Sequence, residues 1–586
     1  MSWEPEIAEL QRRIELAKQM GGPENIRRQH EGGKLTIRER IERLVDPGSF
    51  EETGVLAGKA EYDEAGNLVS FRPANYVVGL ARIGGRRVVV GGDDFTVRGG
   101  AADAAIAQKQ VYGELMAREL KIPIIRLVDG TGGGGSVRTY ETMPRTYVPA
   151  NPGWDTIVHM LNEVPVIAAA MGSVAGLGAA RVVTSHWSIM VKGTSQVFVA
   201  GPPVVARGMG EQVTKEELGG WEIHYRNGVI DNLAENEEDC FRQIRQFLSY
   251  LPQNVWQQPP RVPCSDPPDR REEWLIEAVP RDRRRPYKVR DILGAVFDEG
   301  SFFEIGGGWG RSVVTGLARL NGYPVGVLAN DPYFYGGGLT AQAAEKMERF
   351  IDFCNTFHLP AVNFVDQPGF VIGVEAEKAG TIRKGARALA AVFQAEVPWV
   401  SIIIRKVFGV AGAGHGNTGR LNLRYAWPSG DWGSLPLEGG IEAAYRRELE
   451  QAEDPEALRR QLEERFNRIR SPFRTAEAFG IEHIIDPRDT RRILCEWVEM
   501  AYDVEATRLG PRTHGFRPCG SGLRRAPQAE RRQRGGGSPR RRRLPIGWRR
   551  AAGRRQRRRR SHKRARARPG QRGRAGHRRA PPARRR

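Results

Sequence analysis

The sequence predicts an α/β protein built twice on one plan, followed by an arginine-rich extension with no core of its own. Three observations predict it. Residues 78–100, VGLARIGGRRVVVGGDDFTVRGG, lie over residues 315–337, TGLARLNGYPVGVLANDPYFYGG, at a constant offset of 237. Residues 163–179, EVPVIAAAMGSVAGLGA, lie over residues 396–412, EVPWVSIIIRKVFGVAG, at an offset of 233. Each copy also alternates strand-like hydrophobic runs, glycine-rich loops and helix-period stretches, the rhythm of α/β folds.

In order, each copy reads strand, tight turn, strand, glycine-rich loop, long amphipathic helix, strand. The first register pairs Gly79 with Gly316, Asp94 with Asp331, Lys109 with Lys346, Pro123 with Pro360 and Asp129 with Asp366, without a gap. The helix is expected at about residues 102–120 in one copy and 341–357 in the other. The strands that follow are PIIRLVD and PAVNFVD. Asp129 and Asp366 end those strands before glycine-rich turns and are expected to cap backbone amides. Between the copies, QQPPRVPCSDPPDRREE (257–273) is proline-rich and charged, as linkers are. The expected division is 1–260, a linker at 261–285, 286–518, and a disordered basic tail at 519–586.

A chain of 586 residues exceeds what one core of roughly 250–300 residues supports. The net charge of +22 suggests nucleic acid until it is located. Residues 519–586 hold 28 Lys or Arg and one acid, Glu530, so the rest of the chain is mildly acidic. That tail has no hydrophobic periodicity and too little apolar surface to fold. It reads either as a polybasic arm for nucleic acid or anionic membrane, or as a translated wrong frame, since Arg, Gly, Pro and Ala share GC-rich codons. Cys240, Cys264, Cys354, Cys495 and Cys519 are scattered without a CxxC pair, which implies no metal site and no disulfide framework. No apolar run suits a bilayer and MSWEPEIAEL does not resemble a signal peptide, so a cytoplasmic protein without a membrane partner is expected.

The stretch VPVIAAAMGSVAGLGAA (164–180) passes from a buried-strand run into small residues. A Walker loop is absent, and Gly176-Leu177-Gly178 fails as a dinucleotide fingerprint because Arg181 holds the third glycine position. There is likewise no GxSxG, HExxH or acidic metal cluster. Two readings remain: close packing of a helix on a strand, or a cradle of backbone N–H groups for a negative oxygen. The twin loop at 405–414 favours the cradle, since both follow a buried strand and precede an expected helix. There the first N–H groups are unpaired. A main-chain donor also tolerates Val410 and Ala411 where the first copy has Leu177 and Gly178.

An ordered series of motifs then carries a resemblance. GGKLTIRERIERLVDPGSF (32–50), DDFTVRGG (93–100), VKGTSQVFVAGPPVV (191–205) and EELGG (216–220) lie in the first half. FVDQPGFVIG (364–373), IRKGARAL (382–389), YAWPSG (425–430) and IIDPRDTRRIL (484–494) lie in the second. Over residues 32–518 the chain resembles the carboxyltransferase (β) subunit of biotin-dependent acyl-CoA carboxylases of the propionyl-CoA and methylcrotonyl-CoA type. Sodium-pumping acyl-CoA decarboxylases share this subunit. The resemblance implies tandem crotonase-like (ClpP/crotonase) domains, a homo-hexamer, and sites between the N domain of one subunit and the C domain of another. It implies two oxyanion holes, at Gly176, Leu177 and Gly178 and at Gly409, Val410 and Ala411, for a thioester enolate and for the biotin carbonyl. It further implies that carboxybiotin, carried on a biotin carboxylase/biotin carrier (α) partner, donates the carboxyl group to an acyl-CoA.

Substrate contacts are expected from Gly132, Gly133 and Gly134, from Lys192 and Gly193 near a CoA phosphate, from Tyr335, Gly336, Gly337 and Phe370, and from Ala413 beside the acyl chain. Three departures bear on the acyl group. Leu177 and Val410 add bulk where the family has glycine, GTGGGGSV (130–137) lacks the family's arginine, and Ala413 is small. His415 reads as an ordinary loop histidine. No biotinyl-lysine tetrapeptide and no ATP or metal site is apparent, so those chemistries fall to the partner. The decarboxylase direction and, from another class, a basic nucleic-acid binder on an inactive scaffold are the competing readings.

Overall fold

The computed structural model describes residues 2–101, 104–130, 145–146, 148, 150–151 and 153–516. The expected glycine contacts at 132–134 and the basic tail lie outside the described residues. Each half supplies one large sheet. In the first, seven strands run in the order Glu51–Glu52, Tyr76–Ile83, Arg86–Asp93, Ile124–Val128, Val166–Ala170, Trp187–Val191 and Asn232–Ala234. In the second, the order is Phe303–Ile305, Val313–Leu320, Tyr323–Asn330, Ala361–Gln367, Trp399–Phe408, Leu423–Ala426 and His483–Ile484. An eighth strand, Asp431–Gly433, also pairs with Trp399–Phe408. Each sheet opens with an antiparallel hairpin and continues in parallel.

The duplication extends to register. Gly79 pairs with Val90 as Gly316 pairs with Val327, and Val89 pairs with Ile124 as Gly326 pairs with Ala361. Ile124 faces Val166 as Ala361 faces Trp399, which reproduces both sequence offsets. The central strands are buried throughout, because helices cover both faces of a parallel sheet.

Glycine-rich turns repeat to the backbone angle. Arg98, Gly99 and Gly100 have φ of 57°, 62° and 65°, and Tyr335, Gly336 and Gly337 have 53°, 62° and 90°. Three successive left-handed residues reverse the chain in little space. A Cβ on Gly337 would lie 2.4 Å from the Asp366 carbonyl oxygen, so only glycine fits there.

The second expected helix forms at Ala341–Thr356, capped by the Thr340 hydroxyl accepting from the Ala343 N–H at 3.0 Å. The first forms only from Ala107 to Leu120, shorter than expected. Asn75 takes the preceding residues out of the helix: its Nδ2 donates to Ala101 O at 2.7 Å and its N–H to Ala104 O at 3.4 Å.

One apolar core joins the halves. It runs from Ile37 through Trp187 and Phe247 to Phe303, Phe353, Phe357 and Phe516, with Trp187 stacked on Phe247 at 4.8 Å. The segment after residue 260 is packed on the second sheet, where Leu275 and Tyr287 enter its core. Among the described residues no helix is long and apolar enough to cross a membrane.

Candidate active site

The two glycine loops adopt the same form. Gly176 (φ 59°) ends the short strand Ser173–Ala175 and opens the helix Leu177–Val183. Gly409 (φ 61°) ends Trp399–Phe408 and opens Gly409–Ala413. A positive φ at both positions turns the chain sharply, so that the next N–H groups face outward rather than back into the sheet. Among the described residues, the N–H groups of Leu177, Gly178, Val410 and Ala411 make no hydrogen bond to another element. Leu177 is 41% and Val410 59% exposed, so both loops are open to a ligand.

What fixes each loop lies beneath it. Arg126, in the strand Ile124–Val128, donates to Arg181 O at 3.0 Å and Thr184 O at 2.7 Å, capping the C-terminal carbonyls of the first loop's helix. Its other face meets Glu114 at 2.9 and 2.8 Å, and Arg181 reaches the same carboxylate at 2.5 Å. All three are buried. Burial alone would raise the Glu114 pKa, but the two guanidinium groups overcome it and hold the carboxyl below its usual range. The residue aligned with Arg126 is Asn363. It does the same work by a neutral bond, donating to His415 O at 3.0 Å just past the second loop's helix, where Ser401 and Trp399 also donate at 2.8 Å.

A second pair of anchors is exchanged between the halves. Asp129 is buried and takes the Arg40 guanidinium at 2.9 Å and Lys34 at 3.1 Å. The turn at 131–144, whose amides it is expected to cap, lies outside the described residues; among those described, its side chain binds cations and Gln29. It fills the space beside Gly172, where a Cβ would lie 1.9 Å from Asp129 Oδ1. In the second half the residue aligned with Gly172 is Arg405, which itself binds Asp366 at 2.9 Å. Asp366 also accepts from the Lys406 N–H at 3.0 Å, so there the expected amide bond forms. Asp93 Oδ2 accepts the Asp129 N–H at 3.1 Å, and Asn330 Oδ1 accepts the Asp366 N–H at 3.0 Å. Burial, opposed by Arg181, pushes Asp93 up to about 6.

The second half gathers several expected contacts. Tyr335 is 71% exposed and lines a cleft of about 770 Å³ with Trp309, Arg311, Phe334 and Ile372. Lys406 Nζ approaches Gly336 O at 3.5 Å, joining this turn to the strand that ends at Gly409. Gly337 lies against Asp366 below. Phe370 packs its ring where a Cβ on Gly385 would stand, in the small apolar cluster that also holds Ala411. Ala413 is exposed at the end of the loop's helix. His415 is buried, its Nδ1 at 2.9 Å from Gly412 O, and burial lowers its pKa. Lys192 pairs with Glu235 and lies 5.3 Å from the Trp221 ring centre, with Gly193 in the turn after it. The anchors Glu114, Arg126 and Arg181 were missed from sequence. The available signal was an arginine inside the apolar run PIIRLVD.

Among the described residues no nucleophile–base pair stands at either loop; what the loops present is unpaired main-chain N–H groups. The class agrees: the chain belongs to the carboxyl transferase domain family, whose profile matches residues 28–516. It has the crotonase-like carboxyltransferase fold. It is 36% identical over 504 residues to the propionyl-CoA carboxylase carboxyltransferase subunit of Haloferax mediterranei, covering 84% of this chain and 95% of that one. It is 32% identical over 525 residues to methylmalonyl-CoA decarboxylase subunit alpha of Veillonella parvula, covering 87% and 100%. The transcarboxylase 12S hexamer, solved with methylmalonyl-coenzyme A and methylmalonic acid bound, superposes with a TM-score of 0.77 at 30% identity, covering 89% of this chain and 99% of that one.

Proposed function

We propose that this chain is the carboxyltransferase subunit of a biotin-dependent acyl-CoA carboxylase, with the first half as the acyl-CoA side and the second as the biotin side. The duplicated positive-φ glycines, each followed by outward N–H groups, carry the reading. Two such cradles match a reaction with two developing oxyanions and no side-chain nucleophile. A biotin group reaching in on a partner is supported by the turn that lines the cleft at Tyr335, whose Gly336 carbonyl meets Lys406 on the strand that leads to Val410. When bound, that group supplies the carboxyl carbon and a basic ureido nitrogen.

The chain's own part is orientation and charge. Leu177 and Gly178 N–H donate to the thioester oxygen as the α-carbon loses its proton, holding the enolate. Val410 and Ala411 N–H donate to the second oxygen. Leu177 stands beside the first donors as an apolar wall that keeps water from a reactive enolate. Arg126 and Asn363 are positioning residues: each fixes the far end of a loop helix so that its amides keep their direction. A hexameric assembly, as in transcarboxylase 12S, would bring halves of different subunits together.

The test combines the purified full chain with a biotin-carrying partner, ATP, bicarbonate and a panel of acyl-CoA thioesters. A carboxylated thioester is expected. An intact, verified complex that carboxylates none of them overturns the proposal. The similarity to a decarboxylase subunit over its whole length supports a second reading, in which the same cradles run the reaction backwards. Loss of carbon dioxide from methylmalonyl-CoA without ATP, in a complex with a membrane pump, would select it.

A further inference from the structure

The strand Trp399–Phe408 has a second opening at its other end. From Gly409 back to Trp399 is ten residues, about 30 Å of extended chain. There a cleft of about 570 Å³ opens between the end of helix Thr381–Gln394, residues 417–423 and the last turns of helix Thr490–Ala506. This lies within the roughly 300–1,000 Å³ of small-molecule sites. The proposed function makes no use of it.

Its floor is aliphatic: Val392, Val397 and Ala501 are buried, and Trp497 closes one side. Its walls are large apolar side chains left in water, Leu421 at 85%, Met500 at 58% and Val504 at 41% exposure. Apolar groups scattered singly need no explanation, but three around one cleft do. The mouth is cationic. Arg420 donates to Ala395 O at 2.6 Å and Glu396 O at 3.0 Å, and Arg508 donates to the same Glu396 O at 3.3 Å.

Among the described residues neither guanidinium has a carboxylate partner. The nearby Glu396 carboxylate lies 3.6 Å from Arg512 instead. Burial, and then the charge of Arg508, both lower the pKa of Arg420, so the two cations stand close enough to repel. Asn422 Nδ2 also lines the cleft, buried and without a partner among the described residues. Two converging cations on carbonyl oxygens, above an aliphatic floor, ask for an anion with an apolar tail. A carboxylate suits the planar guanidinium fork.

We infer that this cleft binds a linear aliphatic carboxylate, with its head at Arg420 and Arg508 and its chain over Val392, Val397 and Met500. The test is calorimetric titration of the full chain with octanoate, decanoate and dodecanoate below their micelle concentrations. Affinity should rise about fourfold for each added methylene. Arg508→Gln should weaken dodecanoate binding about tenfold while Arg508→Lys retains most of it, and Met500→Asp should abolish it. Dodecyl maltoside, which has the chain without the charge, should bind at least tenfold more weakly than dodecanoate. Carboxylation by the reconstituted complex should be unchanged in Arg508→Gln and Met500→Asp, which separates this cleft from the acyl-CoA site. Binding that ignores chain length, or that survives both Arg508→Gln and Met500→Asp, overturns the inference. So does dissociation of the assembly by Met500→Asp in the absence of fatty acid, which would make the cleft an interface between copies.

Discussion

Replacing Val410 separates the main chain from the side chain at the second cradle. Val410 is the second residue of a five-residue helix, where a proline ring is tolerated and no intrahelical N–H bond is lost. Its neighbour Gly409 has no Cβ to clash with the proline ring. Val410→Pro therefore removes one donor and little else. Losing one oxyanion donor costs about 10²–10³ in kcat, roughly 2.7–4 kcal/mol of transition-state stabilisation. Val410→Ala keeps the donor and trims a side chain that is 59% exposed, so its folding cost should stay within about 0.5 kcal/mol. The assay is kcat for acyl-CoA carboxylation in the reconstituted complex, with thermal unfolding of each variant as the control. The expected result is a hundredfold or greater loss for proline and less than about threefold for alanine, at similar Tm. Equal losses in the two variants would refute the amide cradle and give the role to the side chain.

Three further outcomes test the supports. Arg126→Met uncaps the first loop's helix and leaves Glu114 with Arg181 alone; breaking such a buried pair should cost about 3–5 kcal/mol in a denaturant titration. Gly172→Ala drives a Cβ into the Asp129 carboxylate and should lower Tm strongly, while Gly201→Ala, where the nearest atom lies 3.9 Å away, should not. Asp93 has its folded pKa raised to about 6, so between pH 4 and 6 the folded state holds more protons than the unfolded and stability falls as pH rises. Asp93→Asn, the residue its twin Asn330 already carries, should flatten that slope and stabilise the protein at pH 7 in urea unfolding.

The repeat made most of the fold legible. The two offsets, 237 and 233, reappear as strand registers, because a gapless pattern of buried residues fixes which strand faces which. The loops at Gly176 and Gly409 were legible for the same reason: a glycine recurring after a buried strand marks a backbone position of positive φ, which residues with a side chain rarely adopt. Local periodicity misplaced the start of the first helix, because the competing bonds come from Asn75, some 26 residues away in sequence. Nor does local pattern reveal that a buried arginine 89 residues distant binds the Asp129 carboxylate.

Sequence alone thus determined the duplication, the α/β alternation and the place of both glycine loops, since these follow from periodicity and from what glycine permits. Only the tertiary structure decided what holds the cradles still. Arg126 with Glu114 supports one and Asn363 the other, and Arg40 over Gly172 serves Asp129 as Arg405 serves Asp366. The halves solve one problem with different residues, so no repeat in the letters reveals the solution. The reason is physical: a buried charge must find a partner in space, and the chain separation between partners leaves no local trace.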